Sequence, residues 1–171
     1  MGRSSCRLGC MILFCICLTL GCSKPTGQSA SADEEKAVRD TFAAFQAAIN
    51  SRDADKLWAL LDNDSQADAE REAKTIRESY SKANAEEKAE REKALGLPAS
   101  ELTGLTGKGF LMTKRFHGQY HEVPGSKIDK VSLKGDSATI GYIEEDGDKE
   151  SLELVRQEGK WKLKVKMPRG S

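Results

Sequence analysis

The sequence predicts an α+β fold: helices first, then an antiparallel sheet of about four strands. Three observations predict it. Apolar residues recur at steps of three and four from Val38 to Leu61, the period of a helix face turned toward a core. The charged segment Ser65 to Leu95 is rich in Ala, Glu, Lys and Arg, all strong helix formers. After Pro124-Gly125 the apolar period drops to two and stays there through Met167, the alternation of half-buried strands. Helices grouped ahead of strands give α+β rather than an alternating α/β chain.

The chain opens with Arg3 and Arg7 and no acid. An apolar run follows from Leu8 to Leu20, broken only by Thr19, and a small residue, Gly21, precedes Cys22. A basic start, a short apolar run and a small residue make the signal-peptide pattern. The run is too short for a spanning helix, which takes about 20 apolar residues. Leu20-Gly21-Cys22 resembles the lipobox of bacterial lipoproteins, with Thr19 where that family prefers Leu. The resemblance implies a signal peptide over 1–22, a lipidated Cys22 as mature N-terminus, and a membrane-anchored, periplasm-facing protein. Ser23, rather than Asp, after the cysteine resembles an outer-membrane destination over an inner one. Two or more acyl chains make a stable anchor.

All five cysteines, Cys6, Cys10, Cys15, Cys17 and Cys22, fall in this segment. The exported domain therefore has no thiol for a disulfide, a zinc cluster or a redox pair. It must hold itself together by burial, and 34–168 is long enough for one ordinary core. The chain carries 27 basic and 27 acidic residues. That balance argues against a nucleic-acid partner, which calls for a basic surplus.

Residues 23–33 are rich in Ser, Ala and Gly and read as a flexible tether. The single domain then runs over 34–168. Its first helix is expected to begin near Ser31, with Ser31 and Glu34 at capping-box spacing. Val38, Phe42, Phe45 and Ile49 share one face. Asn50 to Asp53 end that helix and cap a second one carrying Leu57, Trp58, Leu60 and Leu61. The segment 65–95 reads as a long helix or helical hairpin, with Asn84 as its break. Ala69, Ala73, Ile76, Tyr80 and Ala83 form a thin apolar stripe along it. Glu70–Lys74 and Glu78–Lys82 are expected to support it as i,i+4 pairs. Gly96-Leu97-Pro98 stops it, and Ser100 is expected to cap a short turn. Gly109 to Phe116 leans to helix. Four strands follow: the first with Ile128, Val131 and Leu133, the second with Ala138, Ile140 and Tyr142. The third carries Leu152 and Leu154. On the fourth, Trp161, Leu163, Val165 and Met167 point one way and Lys160, Lys162, Lys164 and Lys166 the other. Gly135-Asp136, Asp146-Gly147 and Glu158-Gly159 supply the turns.

Phe42 to Leu61 resembles the first two helices of the NTF2-like, cystatin-like superfamily, and Val155 to Leu163 resembles its last hairpin. The resemblance covers about a fifth of the chain. It implies a sheet wrapped around helices into a cone that often holds a small ligand. The charged insert departs from that family, which usually places an early strand pair there.

Candidate chemistry is sparse. His117 and His121 are the only histidines. Their spacing puts both imidazoles on one face, yet zinc needs three or four ligands and only Glu122 lies near. No metal and no cofactor is expected. Enzymes of the resembled superfamily place an acid or base inside the cone, and Tyr80, His117, Tyr120, His121 and Tyr142 are available for that role. No motif singles one out. Gly104 to Gly109 lacks the spacing of a phosphate loop, and Glu144 to Asp148 lacks that of an EF-hand. The lysine row of the fourth strand could face anionic lipid headgroups, but protection of an exposed strand edge is the favoured reading.

The expectation is a lipid-anchored envelope protein that binds a small ligand or a protein partner and is not an enzyme. Two alternatives stand beside it. One is an enzyme using His117 or His121 within the cone. The other is an interaction protein using the charged helix 65–95.

Overall fold

The computed structural model describes residues 27–169. The signal segment 1–22, the lipobox with Cys22 and the first tether residues lie outside the described residues. Among those described, no helix is long and apolar enough to cross a membrane.

The first helix, α1, spans Gly27–Ser51. It starts ahead of Ser31, so the part of the expected tether from Gly27 to Asp33 is helical. No proline interrupts this stretch, and its alanines have the best helix propensity. Val38, Phe42 and Phe45 are fully buried and Ile49 nearly so, as the spacing predicts. Past Ser51 the backbone turns through Arg52 at φ +50°. Asp53 then caps α2 (Ala54–Leu60), its carboxylate accepting from the Lys56 N–H at 3.0 Å.

The charged segment is a helical pair, α3 (Asn63–Lys82) and α4 (Ala85–Leu95), broken at Asn84. Asn84 and Glu87 form a capping box, which satisfies two otherwise orphaned N–H groups. Ala69, Ala73, Ile76 and Tyr80 are buried, and the Tyr80 hydroxyl donates to Glu92 Oε1 at 2.5 Å, tying the pair together. The surface ion pairs differ from the expected ones. Lys74 reaches Glu78 at 3.8 Å and Arg71 pairs with Asp68. Glu70 instead lies against Gly107, where the segment from Gly107 to Phe110 crosses α3.

Gly96 ends α4 at φ +70°, a left-handed conformation that suits glycine. The next helix, α5 (Ala99–Thr103), starts directly after Pro98, so Ser100 is inside it and not its cap. Two short helices replace the one expected over 109–116: α6 (Gly107–Phe110) and α7 (Lys114–Gln119). Each begins at a threonine that the hydrophobic pattern does not mark. Thr106 Oγ1 accepts from the Gly109 N–H at 3.1 Å, and Thr113 Oγ1 from the Phe116 N–H at 3.2 Å. A 3₁₀ turn, Val123–Gly125, leads into the sheet. Gln46 of α1 holds it, donating to the carbonyls of Val123 and Ser126 at 2.9 Å each.

The sheet is an antiparallel meander of β1 (Lys127–Lys134), β2 (Ser137–Ile143), β3 (Lys149–Gln157) and β4 (Lys160–Lys164). A register shift between Ile128 and Lys130 inserts an extra residue. Ile128 and Val131, three apart, thereby reach partners on the same face, as a bulge permits. Ala138, Ile140, Tyr142, Leu152, Leu154, Trp161 and Leu163 are buried on the face that α1 covers. Glu34 fastens the start of α1 to this sheet: its carboxylate accepts from Trp161 Nε1 at 2.9 Å and from the Arg156 guanidinium.

The β4 edge is not open over its central part. Leu61 bridges to Leu163, and the Asp62 N–H donates to the Leu163 carbonyl at 2.9 Å. The buried Val165 N–H donates to Ser65 Oγ at 2.8 Å. Ser65→Ala strands that N–H, which should cost about 1–3 kcal/mol. Urea denaturation should show it as a lower midpoint with an unchanged slope.

Candidate functional site

The space between α1 and the sheet is where a cone-type ligand would lie, and side chains fill it. Phe42 packs against Tyr142 with the rings tilted and their centroids 5.2 Å apart. Phe45 meets Tyr120 edge-on at 5.9 Å, and Phe116 meets Tyr120 at 5.1 Å. Phe42, Phe45, Phe110 and Phe116 are fully buried, and Trp161 is buried beside them. Of the three candidate tyrosines, Tyr80 is spent on Glu92, and Tyr120 donates to the Lys166 carbonyl at 2.7 Å. Burial raises the Tyr120 hydroxyl well above its ordinary pKa. Burial, with Glu144 and Glu150 nearby, pushes Tyr142 up to about 12. Both phenols are protonated at neutral pH, which removes them as ready bases.

The two histidines do share a site, but at the surface. With Ile49, Asn50, Arg52, Lys114, Gly118 and Pro124 they line a hollow of about 360 Å³. His117 sits on α7 and is 7% exposed, its ring edge-on to Phe116 at 6.0 Å. Its Nε2 is buried without a hydrogen-bond partner among the described residues. Helix α7 ends at Gln119, so His121 lies beyond it and is mostly exposed. Its Nδ1 is 2.9 Å from the Gly118 carbonyl and its Nε2 is 3.1 Å from Glu122 Oε1. Arg52 and Lys114 on the same rim make the hollow cationic, which opposes a metal ion there.

Burial lowers the His117 pKa, and the Arg52 charge lowers it further. A folded pKa below the unfolded value near 6.5 means that the unfolded chain takes up the proton first. Stability should therefore fall as pH drops through about 6.5, until the folded pKa is passed. His117→Gln removes this titration. Urea midpoints measured at about pH 7.5 and about pH 5 should differ less in the variant than in the wild type.

A second, larger concavity lies elsewhere among the described residues. A cleft of about 500 Å³ lies where β3 runs on past the end of β4. Asp64, Ser65 and Asp68 of α3 form one wall, and Glu150, Leu152 and Glu153 of β3 another. Tyr120, Tyr142 and Glu144 line it too, with Lys164 and Lys166 at its side. Carboxylates outnumber lysines in it, so the cleft suits a cationic ligand over an anionic one. Burial raises the Glu144 pKa, helped by the charges of Glu122 and Glu150. Glu122, Glu144 and Asp146 bring carboxylate oxygens within 4.8 Å of one another. Three such oxygens fall short of the six to eight that calcium takes. The sequence hides this cleft because its walls come from α3 and β3, far apart in the chain. Among the described residues, no histidine lines it.

No family model, no curated protein and no solved structure matches this chain.

Proposed function

We propose that this protein is a lipid-anchored component of the bacterial cell envelope, held by acylated Cys22, whose single NTF2-like domain is a binding module and not an enzyme. The observation that carries the reading is the filled helix–sheet interface. The aromatic side chains of Phe42, Phe45, Phe116, Tyr120 and Tyr142 occupy the interior where that superfamily's chemistry would need room. Ligands are left with surface concavities, among them the acidic cleft of about 500 Å³ beside β3. The packing of α1 against the meander supports the NTF2-like assignment. The helical pair over 63–95 is this chain's own departure from that pattern.

The test is intact and native mass spectrometry of the full chain expressed and exported in a bacterium. The expected product begins at Cys22 and carries acyl mass. Under native conditions it should also carry an additional mass that leaves on denaturation. A mature chain starting elsewhere, without acyl mass, overturns the anchor. An acylated chain with no bound mass, and none gained on incubation with envelope extract, overturns the binding role.

The histidine hollow gives the enzymatic alternative its one supporting observation, the unpartnered His117 Nε2. An acid–base role there requires a substrate bound between Arg52 and Pro124.

A further inference from the structure

We propose that the outer face of the sheet is a docking surface for anionic lipid headgroups. The sequence marks only the lysine row of β4. The meander brings lysines from two other strands onto the same face. Lys127, Lys130 and Lys134 of β1 alternate with the core-facing Ile128, Val131 and Leu133. Lys149 opens β3 opposite Ile143, beside the inward-facing Tyr142. Lys160 and Lys164 flank the inward-facing Trp161 and Leu163 on β4.

All six are exposed. None lies within ion-pair distance of a carboxylate among the described residues. In the helical part Lys36, Lys56, Lys74 and Lys108 pair with an acid, while Lys88 lies over the Tyr80 ring and Lys114 reaches the Lys93 carbonyl. Lys162 shares the sheet face but gives its ammonium to the Ala59 carbonyl. Asp129 and Glu153 are the opposing charges on this face. Ser132, Thr139, Gly141 and Ser151 lie between the lysines, and the Lys130 stem lies across Gly141.

Two further observations favour a lipid surface. Edge protection does not account for Lys164, because Leu61, Asp62 and Ser65 already cover the Leu163–Val165 edge. The start of α1, the described end of the chain that follows the proposed lipid site at Cys22, also lies at the right end of the sheet. Glu34 of α1 meets Arg156, and Arg156 meets Asp136, so α1 enters beside the turns that carry Lys134 and Lys160. Helix α1 begins at Gly27, five positions after Cys22, a length of chain that reaches at most about 17 Å. The acidic turn Glu144 to Asp148 lies at the other end of the sheet. Each lysine near an anionic surface favours partition by roughly fivefold, with or without acylation of Cys22.

The test is lysine footprinting of the full chain on vesicles. An amine-acetylating reagent is applied on vesicles of phosphatidylcholine alone, or of phosphatidylcholine with phosphatidylglycerol, and labelling is read by mass spectrometry. On the anionic vesicles Lys130, Lys134, Lys160 and Lys164 should label at least about threefold less, and high salt should restore labelling. Lys74 and Lys82 of α3 should label alike on both. The quadruple variant K130Q/K134Q/K160Q/K164Q should lose the preference for anionic vesicles, and the matching Arg variant should keep it. Equal labelling of the sheet lysines on both vesicle types overturns the proposal. So does equal protection by duplex DNA in place of vesicles, which would make the face a general polyanion site.

Discussion

Phe42→Ala should destabilise the protein by about 3–5 kcal/mol, the range for deleting a buried aromatic ring. Phe42 is fully buried on α1 and packs against Tyr142 of β2. Its loss removes the contact between helix and sheet at the point where both elements depend on it. Neighbouring rings are held by their own partners, Phe45 by Tyr120 and Phe110 by Phe116, so collapse into the gap should be incomplete. The residual cavity should be dry, since apolar cavities of that kind exclude water and admit small apolar molecules. Two measurements check this. Urea denaturation gives the loss, and addition of benzene or xenon should restore part of the stability of the variant and none of the wild type. A wild type that already responds to benzene would contradict a filled interior.

Gly107→Val should be the largest single effect outside the aromatic core. A Cβ at Gly107 would sit 2.8 Å from the backbone nitrogen of Glu70. Real Cβ atoms do not approach that closely, and the obstacle is helix backbone, which cannot swing aside. Overpacking of this kind typically costs about 1–3 kcal/mol, occasionally more, and a branched side chain should exceed alanine. The same Cβ meets the Glu70 side chain at 2.8 Å, so Gly107→Ala/Glu70→Ala would relieve only the flexible half of the clash. Thermal unfolding should place Gly107→Val lowest, Gly107→Ala between it and wild type, and the double variant only slightly above Gly107→Ala. Full rescue by Glu70→Ala would mean that the backbone contact is unimportant.

These two sites illustrate what local pattern can and cannot carry. Phe42 is legible in the sequence: it recurs with Val38, Phe45 and Ile49 at helical steps, and every one of them is buried. Asn84 is legible for the same reason, since a cap residue inside a run of helix formers announces a break. The meander follows from alternation between turns, broken once at the β1 bulge, and its strand order is the simplest that such turns allow. Gly107 is not legible as a crossing point. Its signal is a close approach between α3 and α6, which are separated by two helices and leave no periodic trace.

By itself the sequence determined the α+β class, the helical character of the charged segment with Asn84 as its expected break, the four strands and the core faces of α1 and the sheet. Each rests on a repeating period or a local cap, and both are written in neighbouring residues. The tertiary structure alone decided the start of α1 at Gly27, the splitting of 109–116 at Thr113, and the pairing of Lys74 with Glu78 in place of Glu70. It also decided where chemistry can occur. The acidic cleft joins α3 to β3, the histidine hollow joins α7 to the end of α1, and the basic sheet face joins three strands. Each of these surfaces is made by packing elements that are distant in the chain, and a single linear sequence carries no period for that distance.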